Sequence, residues 1–294
     1  MILKLGNKIG EGGCSEVFEW EDNKKIIKLA KTNTTLESMR REYHNNLTAW
    51  DIGLSVAQPY EFLDLDGRPG IVSERVYGYS LLEHFMKQIV EKTDEAAEFG
   101  NVQFKETGVH TTARILNEIH RNTNLHMPLQ RDNLKYCIRN ADYLTHDEKE
   151  KVIEMLDSLP IKEQLCHGDP NPGNILIRDG KAVIIDWMDA SIGNPEADLA
   201  EYIVMIRYSI LPSSLPSHAV AYFDSIRESV IEEFIHEYTK QSDITYDEIE
   251  PWIIPIAARK LYADAISDEE KDILVKEIRR SLKNPYTSQP TKKR

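Results

Sequence analysis

Cysteine is scarce in this chain, and long apolar runs are missing. The three cysteines, Cys14, Cys137 and Cys166, are odd in number, far apart and match no zinc-ligand spacing. A disulfide framework is therefore not expected, and a reducing cytoplasm is the compartment that fits. No stretch approaches the roughly 20 apolar residues of a membrane helix, so no membrane partner is expected. The opening MILKLGNKIGEGG is broken by charges and glycines, unlike a signal peptide. Basic residues are in deficit too: 36 Lys and Arg stand against 49 Asp and Glu in 294 residues, a net charge of −13. The deficit is uneven, with 10 basic and 12 acidic side chains in residues 1–77 and 26 and 37 in the remainder. Such a surface repels nucleic acid, apart from the terminal KKR, and favours a cationic ligand. A solvated acidic face that aids solubility explains the charge more simply when the charge is taken alone.

What is present is a dense polar loop, HGDPNPGNIL at 167–176, with one His, one Asp and two Asn set among Gly and Pro. Its surroundings alternate between strand and helix signals. Residues 1–30 read as three strands (ILKLGNKI, SEVFEW and KKIIKLA) linked by a glycine turn and a polar turn. A helix follows, with Thr34 as N-cap, Glu37 as capping-box acid, and Leu36, Met39, Tyr43, Leu47 and Trp50 on its apolar face. Two further strands flank Asp66-Gly67. Beyond Gly78 the pattern predicts helices near 80–91, 107–121, 131–143 and 146–158, the last opened by a Thr145/Glu148 capping box. Two short strands around Asp179-Gly180 follow the polar loop. From Asp198 onward the chain reads as mostly helical, with breaks at LPSSLPS and near Pro251 and Pro255.

The loop's chemistry follows from its neighbours. Asp186 in IIDW ends an apolar strand, so Asp169, Asn174 and Asp186 should converge at a sheet edge. One carboxylate with one amide oxygen is a hard donor set suited to Mg²⁺ held by substrate phosphates. A second carboxylate can take the proton of an attacking hydroxyl. Upstream, GEGGCSEV offers backbone N–H groups at Gly10, Gly12 and Ser15 to cover phosphates. Lys28 lies inside an apolar strand and needs a partner, which Glu42 on the first helix can supply, with Glu37 as a rival. Taken singly, each has a blander reading. GEGG is an ordinary hairpin turn, Lys28 a snorkelling edge lysine, Glu42 a solvated helix residue, and Asp169 and Asn174 turn formers. Their order and spacing together favour phosphoryl transfer.

The stretch HGDPNPGNILI…VIIDWMDASIGNPEADLAEY resembles the aminoglycoside phosphotransferase/choline kinase-like group of small-molecule kinases. The resemblance runs from about residue 6 to 205. It implies an α+β, bilobal, protein-kinase-like fold: a nucleotide-binding sheet lobe with one helix over 1–77, a hinge near 74–78, and a mostly helical catalytic and acceptor-binding lobe over 78–285. The closing NPYTSQPTKKR reads as frayed, with a flexible tail expected at 286–294. The resemblance also implies Asp169 as catalytic base, Asn174 and Asp186 as Mg²⁺ ligands, and Asp198 as an anchor for the catalytic loop. Main-chain groups of Glu74 and Val76 would face the adenine. Three positions depart from the family pattern: Ser15 for the third loop glycine, Asn171 where many relatives carry His, and Met188 for an acidic residue, with Asp189 next to it.

The resemblance implies ATP, or GTP, with Mg²⁺ and a small-molecule hydroxyl acceptor. A protein acceptor is not expected. Only 11 residues separate Asp186 from Asp198, no Ala-Pro-Glu follows, and Gly168 stands in place of the arginine that grips an activation-loop phosphate. The acidic C-terminal lobe is compatible with an aminoglycoside, a choline-like compound or a sugar. The alternative is a nucleotide-binding pseudokinase with a regulatory role, although Lys28, Asp169, Asn174 and Asp186 are all retained. His167 is expected to pack rather than to act as base. His120 and His126 show no metal spacing, and Tyr202, Tyr208, Trp252 and Tyr262 read mostly as helix-packing aromatics, with the lining of the acceptor pocket as the alternative for one or two of them.

Overall fold

Two Asp-Gly pairs set strand register. In the computed structural model, which describes residues 5–21, 23–94, 108–263 and 266–283, Asp66 and Gly67 have φ of 53° and 82°, and Asp179 and Gly180 have 51° and 75°. Positive φ at both central residues gives the tight two-residue turn that matches strand twist. These turns join β4 (Pro59–Leu65) to β5 (Arg68–Glu74), and β8 (Ile175–Arg178) to β9 (Lys181–Ile184). The expected tail at 286–294, with its KKR, lies outside the described residues.

The N-terminal sheet has five antiparallel strands in the order β1 (Lys8–Glu11), β2 (Ser15–Trp20), β3 (Lys25–Ala30), β5, β4. Side chains alternate across a strand, and β3 shows the consequence. Ile27 and Leu29 pack on one face with Trp20 and Val72. Lys28 and Ala30 share the other face, where Ala30 meets Met39 of α1 (Leu36–Asp51). This alternation points a lysine at a helix.

The helix α1 departs from expectation in two ways. Its N-cap is Thr35, whose side chain accepts from the Ser38 N–H at 3.1 Å, while Thr34 is used elsewhere and Glu37 is exposed. The buried stripe is Met39, Glu42, Asn45 and Ala49, with Leu36 and Trp50 left exposed. Two polar residues are buried in preference to two apolar ones because each finds charged or hydrogen-bonding partners across the interface.

The larger part of the chain is mostly helical. It contains α2 (Leu81–Asp94), α3 (Gly108–His120), α4 (Gln130–Asn140), α5 (His146–Ser158), α6 (Pro195–Tyr208), α7 (Ser217–Thr239), α8 (Tyr246–Ile249), α9 (Ile253–Lys260) and α10 (Asp268–Lys283). Thr145 and Glu148 form the expected capping box at α5. Pro255 breaks nothing: it is the third residue of α9, where a missing N–H leaves no helix bond unmade. The buried helix α6 is central to the core, with Tyr202 stacked on Phe234 of α7 at 3.9 Å between ring centroids.

Short strands connect the two parts. β6 (Tyr79–Ser80) pairs with β8, and β7 (Gln164–Cys166) pairs with β10 (Ser191–Gly193). At Gly78 a Cβ would sit 2.1 Å from the Ile177 carbonyl oxygen, so the crossing into β6 needs glycine. The Ser55 carbonyl accepts from the Ile184 N–H at 2.9 Å, which ties the α1–β4 connection to the strand leading toward Asp186.

Candidate active site

The ammonium of Lys28 reaches two carboxylates, Glu42 at 2.6 Å and Asp186 at 3.0 Å. Between the two candidate partners, the structure chooses Glu42 over Glu37. Burial pulls the Lys28 pKa down, but the facing charges of Glu42 and Asp186 outweigh it, and the net shift is upward. Partial enclosure pushes the Asp186 carboxyl up, the facing Lys28 charge pulls it down, and the net shift is downward. Burial pushes Glu42 up, to about 7. Its second oxygen is buried without a hydrogen-bond partner among the described residues.

Asp186 stands two residues beyond β9 rather than within it, at φ 64°. A non-glycine residue in the left-handed region costs roughly 1 kcal/mol, and such strain is a recurrent feature of functional sites. Here it turns the Asp186 carboxylate back toward Lys28.

The 167–176 loop comes up beside it. The Ile185 N–H donates to the Asn174 carbonyl at 2.9 Å, which sets Asn174 next to the Asp186 segment. The Asn174 side-chain NH₂ donates to Asp169 Oδ2 at 2.8 Å and to the Asp169 carbonyl at 3.2 Å. Its amide oxygen, which accepts no hydrogen bond from the described residues, is left as a donor atom for a cation. Asn171 caps the short turn at Pro172–Asn174 by accepting from the Gly173 N–H at 2.8 Å. Burial raises the Asp169 carboxyl, the His167 ring lowers it, and the nearby Asp186 charge raises it further; the net shift is upward. A raised carboxyl is better matched to taking a proton near neutral pH.

The loop is anchored from below. Asp198, near the start of α6, accepts from the His167 N–H at 2.6 Å and the Gly168 N–H at 3.0 Å. His120 Nε2 donates to the same carboxylate at 3.2 Å, and His120 Nδ1 accepts from the Tyr238 hydroxyl at 2.8 Å. His120, Cys166 and Asp198 lie close enough to suggest a metal cluster, but the His and Asp are already committed to these bonds and burial holds Cys166 as a thiol. His167 is fully buried. Its Nε2 donates to the Ile185 carbonyl at 3.2 Å and its Nδ1 accepts from the Asp169 N–H at 3.4 Å.

Gly168 has φ +81°, and a Cβ there would lie 2.3 Å from the Asp189 carbonyl oxygen. Its glycine is thus required by the turn that follows Asp186.

The glycine-rich turn spans the gap between β1 and β2. Gly10, Val17, Lys28 and Ile71 form one row across the sheet, so Gly10 sits two strands, about 10 Å, from Lys28. The turn's carbonyls are tied backward. Lys31 Nζ donates to Gly12 O at 2.7 Å, Asn33 to Gly13 O at 3.3 Å, and Thr34 Oγ1 to Cys14 O at 2.7 Å. Ser15 is buried at the start of β2 opposite Ala30, which accommodates the missing third glycine without strain. Glu74 ends β5 and its side chain pairs with Arg178 of β8. Val76 lies just beyond, with no main-chain hydrogen bond among the described residues.

Two residues escape sequence reasoning. Asn45, buried on α1, donates to the Trp187 and Ala190 carbonyls at 2.9 and 3.1 Å, fixing the segment after Asp186. The signal was its spacing, three residues after Glu42. Arg259 on α9 donates to the Gly168 carbonyl at 3.2 Å and to Asp189 at 2.8 Å, and pairs with Glu201 at 3.2 Å. Nothing in IIPIAARK marks it.

The fold recurs in known proteins. The Phosphotransferase enzyme family matches residues 11–252. Among solved structures, a thermostable mutant of aminoglycoside phosphotransferase APH(4)-Ia in a ternary complex with ADP and hygromycin B superposes with a TM-score of 0.62 at 11% identity, covering 96% of this chain and 94% of that one. Choline kinase LicA from Streptococcus pneumoniae gives 0.61 at 15% identity over 96% and 94%. Amicoumacin kinase hAmiN, in complex with AMP-PNP, Ca²⁺ and Ami, gives 0.60 at 15% over 95% and 88%. At these identities the likeness establishes the fold. A curated relative, the EKC/KEOPS complex subunit BUD32 of Yarrowia lipolytica, is 34% identical over 70 residues, 24% of this chain and 28% of that protein's length. Among the described residues no helix is long and apolar enough to cross a membrane.

Proposed function

We propose, from the premise that the chain belongs to the phosphotransferase enzyme family, that it transfers the γ-phosphate of ATP (or GTP) to a hydroxyl of a small molecule. One observation carries this reading. Lys28, Asp186, Asn174 and Asp169 form a connected line through contacts of 3.0, 2.9 and 2.8 Å, the middle one running from the Ile185 N–H to the Asn174 carbonyl. A cation, two oxygen donors of the kind Mg²⁺ prefers and a second carboxylate therefore follow one another along this line, which supports the reading.

In the proposed step, the acceptor oxygen forms a bond to the γ-phosphorus as the bond to the β–γ bridging oxygen breaks. The hydroxyl proton passes to Asp169, and a phosphoester and nucleoside diphosphate leave. Lys28, fixed by Glu42, binds the α/β-phosphates, and the N–H groups of the Gly10–Ser15 turn cover them. Main-chain groups of Glu74 and Val76 meet the base. The Asn174 amide oxygen and the half-exposed Asp186 carboxylate fit Mg²⁺, a hard cation that prefers oxygen. Bound there, Mg²⁺ would neutralise and orient phosphate charge. The excess of acidic over basic side chains beyond residue 77 supports an amine-bearing acceptor such as an aminoglycoside, an amino sugar or a choline-like alcohol.

The test is ADP or GDP release by the purified chain with Mg²⁺ across a panel of aminoglycosides, choline, amino sugars and simple sugars, with Asp169→Asn as control. A compound that stimulates wild type but not the variant identifies the acceptor class and supports Asp169 as base. Tight Mg²⁺–nucleotide binding without release from any compound would favour a regulatory pseudokinase instead.

A further inference from the structure

We infer that Arg259 is a positioning residue for phosphoryl transfer, acting through the Gly168 carbonyl and the Asp189 carboxylate to hold the Asp169 loop. This rests on the function proposed above. Arg259 lies outside the 11–252 match, on a helix that supplies none of Lys28, Asp186, Asn174 and Asp169.

The geometry gives the guanidinium three tethers on three segments. Gly168 belongs to the Asp169 loop, Asp189 to the turn after Asp186, and Glu201 to α6. The side chain is only 14% exposed, so these contacts are desolvated. The decisive contact is the one to Gly168. Its carbonyl belongs to the peptide plane whose N–H is that of Asp169. Arg259 holds the oxygen end of that plane and His167 Nδ1 accepts from the N–H end. Gly168, at φ +81°, has no side chain to limit its backbone. Rotation of this one plane would swing the Asp169 carboxylate away from Asn174. A glycine placed before the base thus needs an external clamp, and Arg259 is the group in place to supply it.

The simpler alternative is a buried ion pair that serves stability alone. It requires only a positive charge between Asp189 and Glu201, which lysine also provides. A planar guanidinium, by contrast, can meet a carbonyl and two carboxylates at once, and a single ammonium is poorly shaped to do so. Charge and geometry are therefore separable by substitution.

The experiment compares full-length wild type, Arg259→Lys and Glu201→Gln. Arg259→Lys keeps the charge and is expected to retain the thermal midpoint. It should raise amide hydrogen exchange across 167–176 by about tenfold. It should lower kcat for Mg²⁺–ATP turnover, with water and with any stimulating acceptor, by at least about tenfold while the nucleotide KM stays within about twofold. Glu201→Gln, which leaves the Gly168 contact, should keep kcat within about threefold. If Arg259→Lys does not fold, the double variant Arg259→Lys/Glu201→Gln, with one fewer buried acid, is read in the same way. Unchanged exchange over 167–176, wild-type kcat, or parallel changes in kcat and nucleotide KM overturns the inference. Absence of turnover in wild type defeats the phosphotransfer reading, whereas the exchange measurement reports on Arg259 by itself.

Discussion

The Asn174 side-chain amide donates to Asp169 Oδ2 at 2.8 Å, and this bond fixes two orientations at once. The nitrogen faces Asp169, so the amide oxygen is turned away from it and left available to a cation. Asparagine at 169 can present its own amide oxygen to the same NH₂, so Asp169→Asn should preserve the loop and lose only the proton acceptor. Turnover is expected to fall on the order of 10²–10⁴-fold, with Mg²⁺–nucleotide affinity unchanged by calorimetry. A variant with wild-type turnover would remove Asp169 from the mechanism.

Removing Lys28 should give a pH-dependent stability defect. In Lys28→Met, Glu42 and Asp186 lose their counter-ion, at a cost of about 3 kcal/mol. Glu42 is already raised by burial from 4.5 to about 7 with Lys28 present, and without that charge it rises further. A carboxyl raised in the folded state binds more protons there than in the unfolded chain. Stability therefore falls as pH climbs from 4.5 through and beyond about 7. Urea midpoints at about pH 5 and about pH 8 should separate more for the variant than for wild type.

Gly168→Ala is expected to be costly although it adds one methyl group. The new Cβ would stand 2.3 Å from the Asp189 carbonyl oxygen at φ +81°. Strain of about 1–3 kcal/mol, with displacement of the turn beyond Asp186, should lower both the denaturation midpoint and turnover. The same clash excludes arginine here, in agreement with a chain that lacks a long activation segment.

Asp198→Asn replaces one acceptor oxygen with a donor against two main-chain N–H groups and His120. A loss of about 1–3 kcal/mol is expected, together with reduced kcat, because the His167–Gly168 backbone is released. Thr145→Ala provides the contrast. Loss of that cap should cost about 1 kcal/mol with kcat unchanged, so chemical denaturation and kinetics together distinguish loop anchoring from general stability.

Much of this site was legible because its chemistry is local in sequence. Asp169, Asn174 and Asp186 lie within 18 residues, and the Asp179-Gly180 turn forces the segments on either side together. Lys28 follows from period, since it alternates into the helix-facing side of β3, and Glu42 follows from that lysine's need of a partner on α1. The buried stripe of α1 was misplaced because apolar residues were given the interior, whereas Glu42 is buried against Lys28 on the neighbouring strand and Asn45 against the Trp187 and Ala190 carbonyls, far away in the chain. Thr34 looked like a cap because capping and loop-tying use the same hydroxyl. Arg259 had no local signal at all. An arginine near the end of an apolar helix ordinarily complements the helix dipole, and only the tertiary fold shows what it touches.

The backward-tied carbonyls of the glycine turn have a kinetic meaning. Three successive carbonyls, those of Gly12, Gly13 and Cys14, are held by the segment 31–34, so the turn is ordered when the chain folds rather than when nucleotide arrives. For the proposed nucleotide, association then involves no search through loop conformations. The entropy of ordering, which commonly weakens capture by glycine-rich segments, drops out of the encounter. Capture would be governed by diffusion to the site, and residence time by the contacts made there.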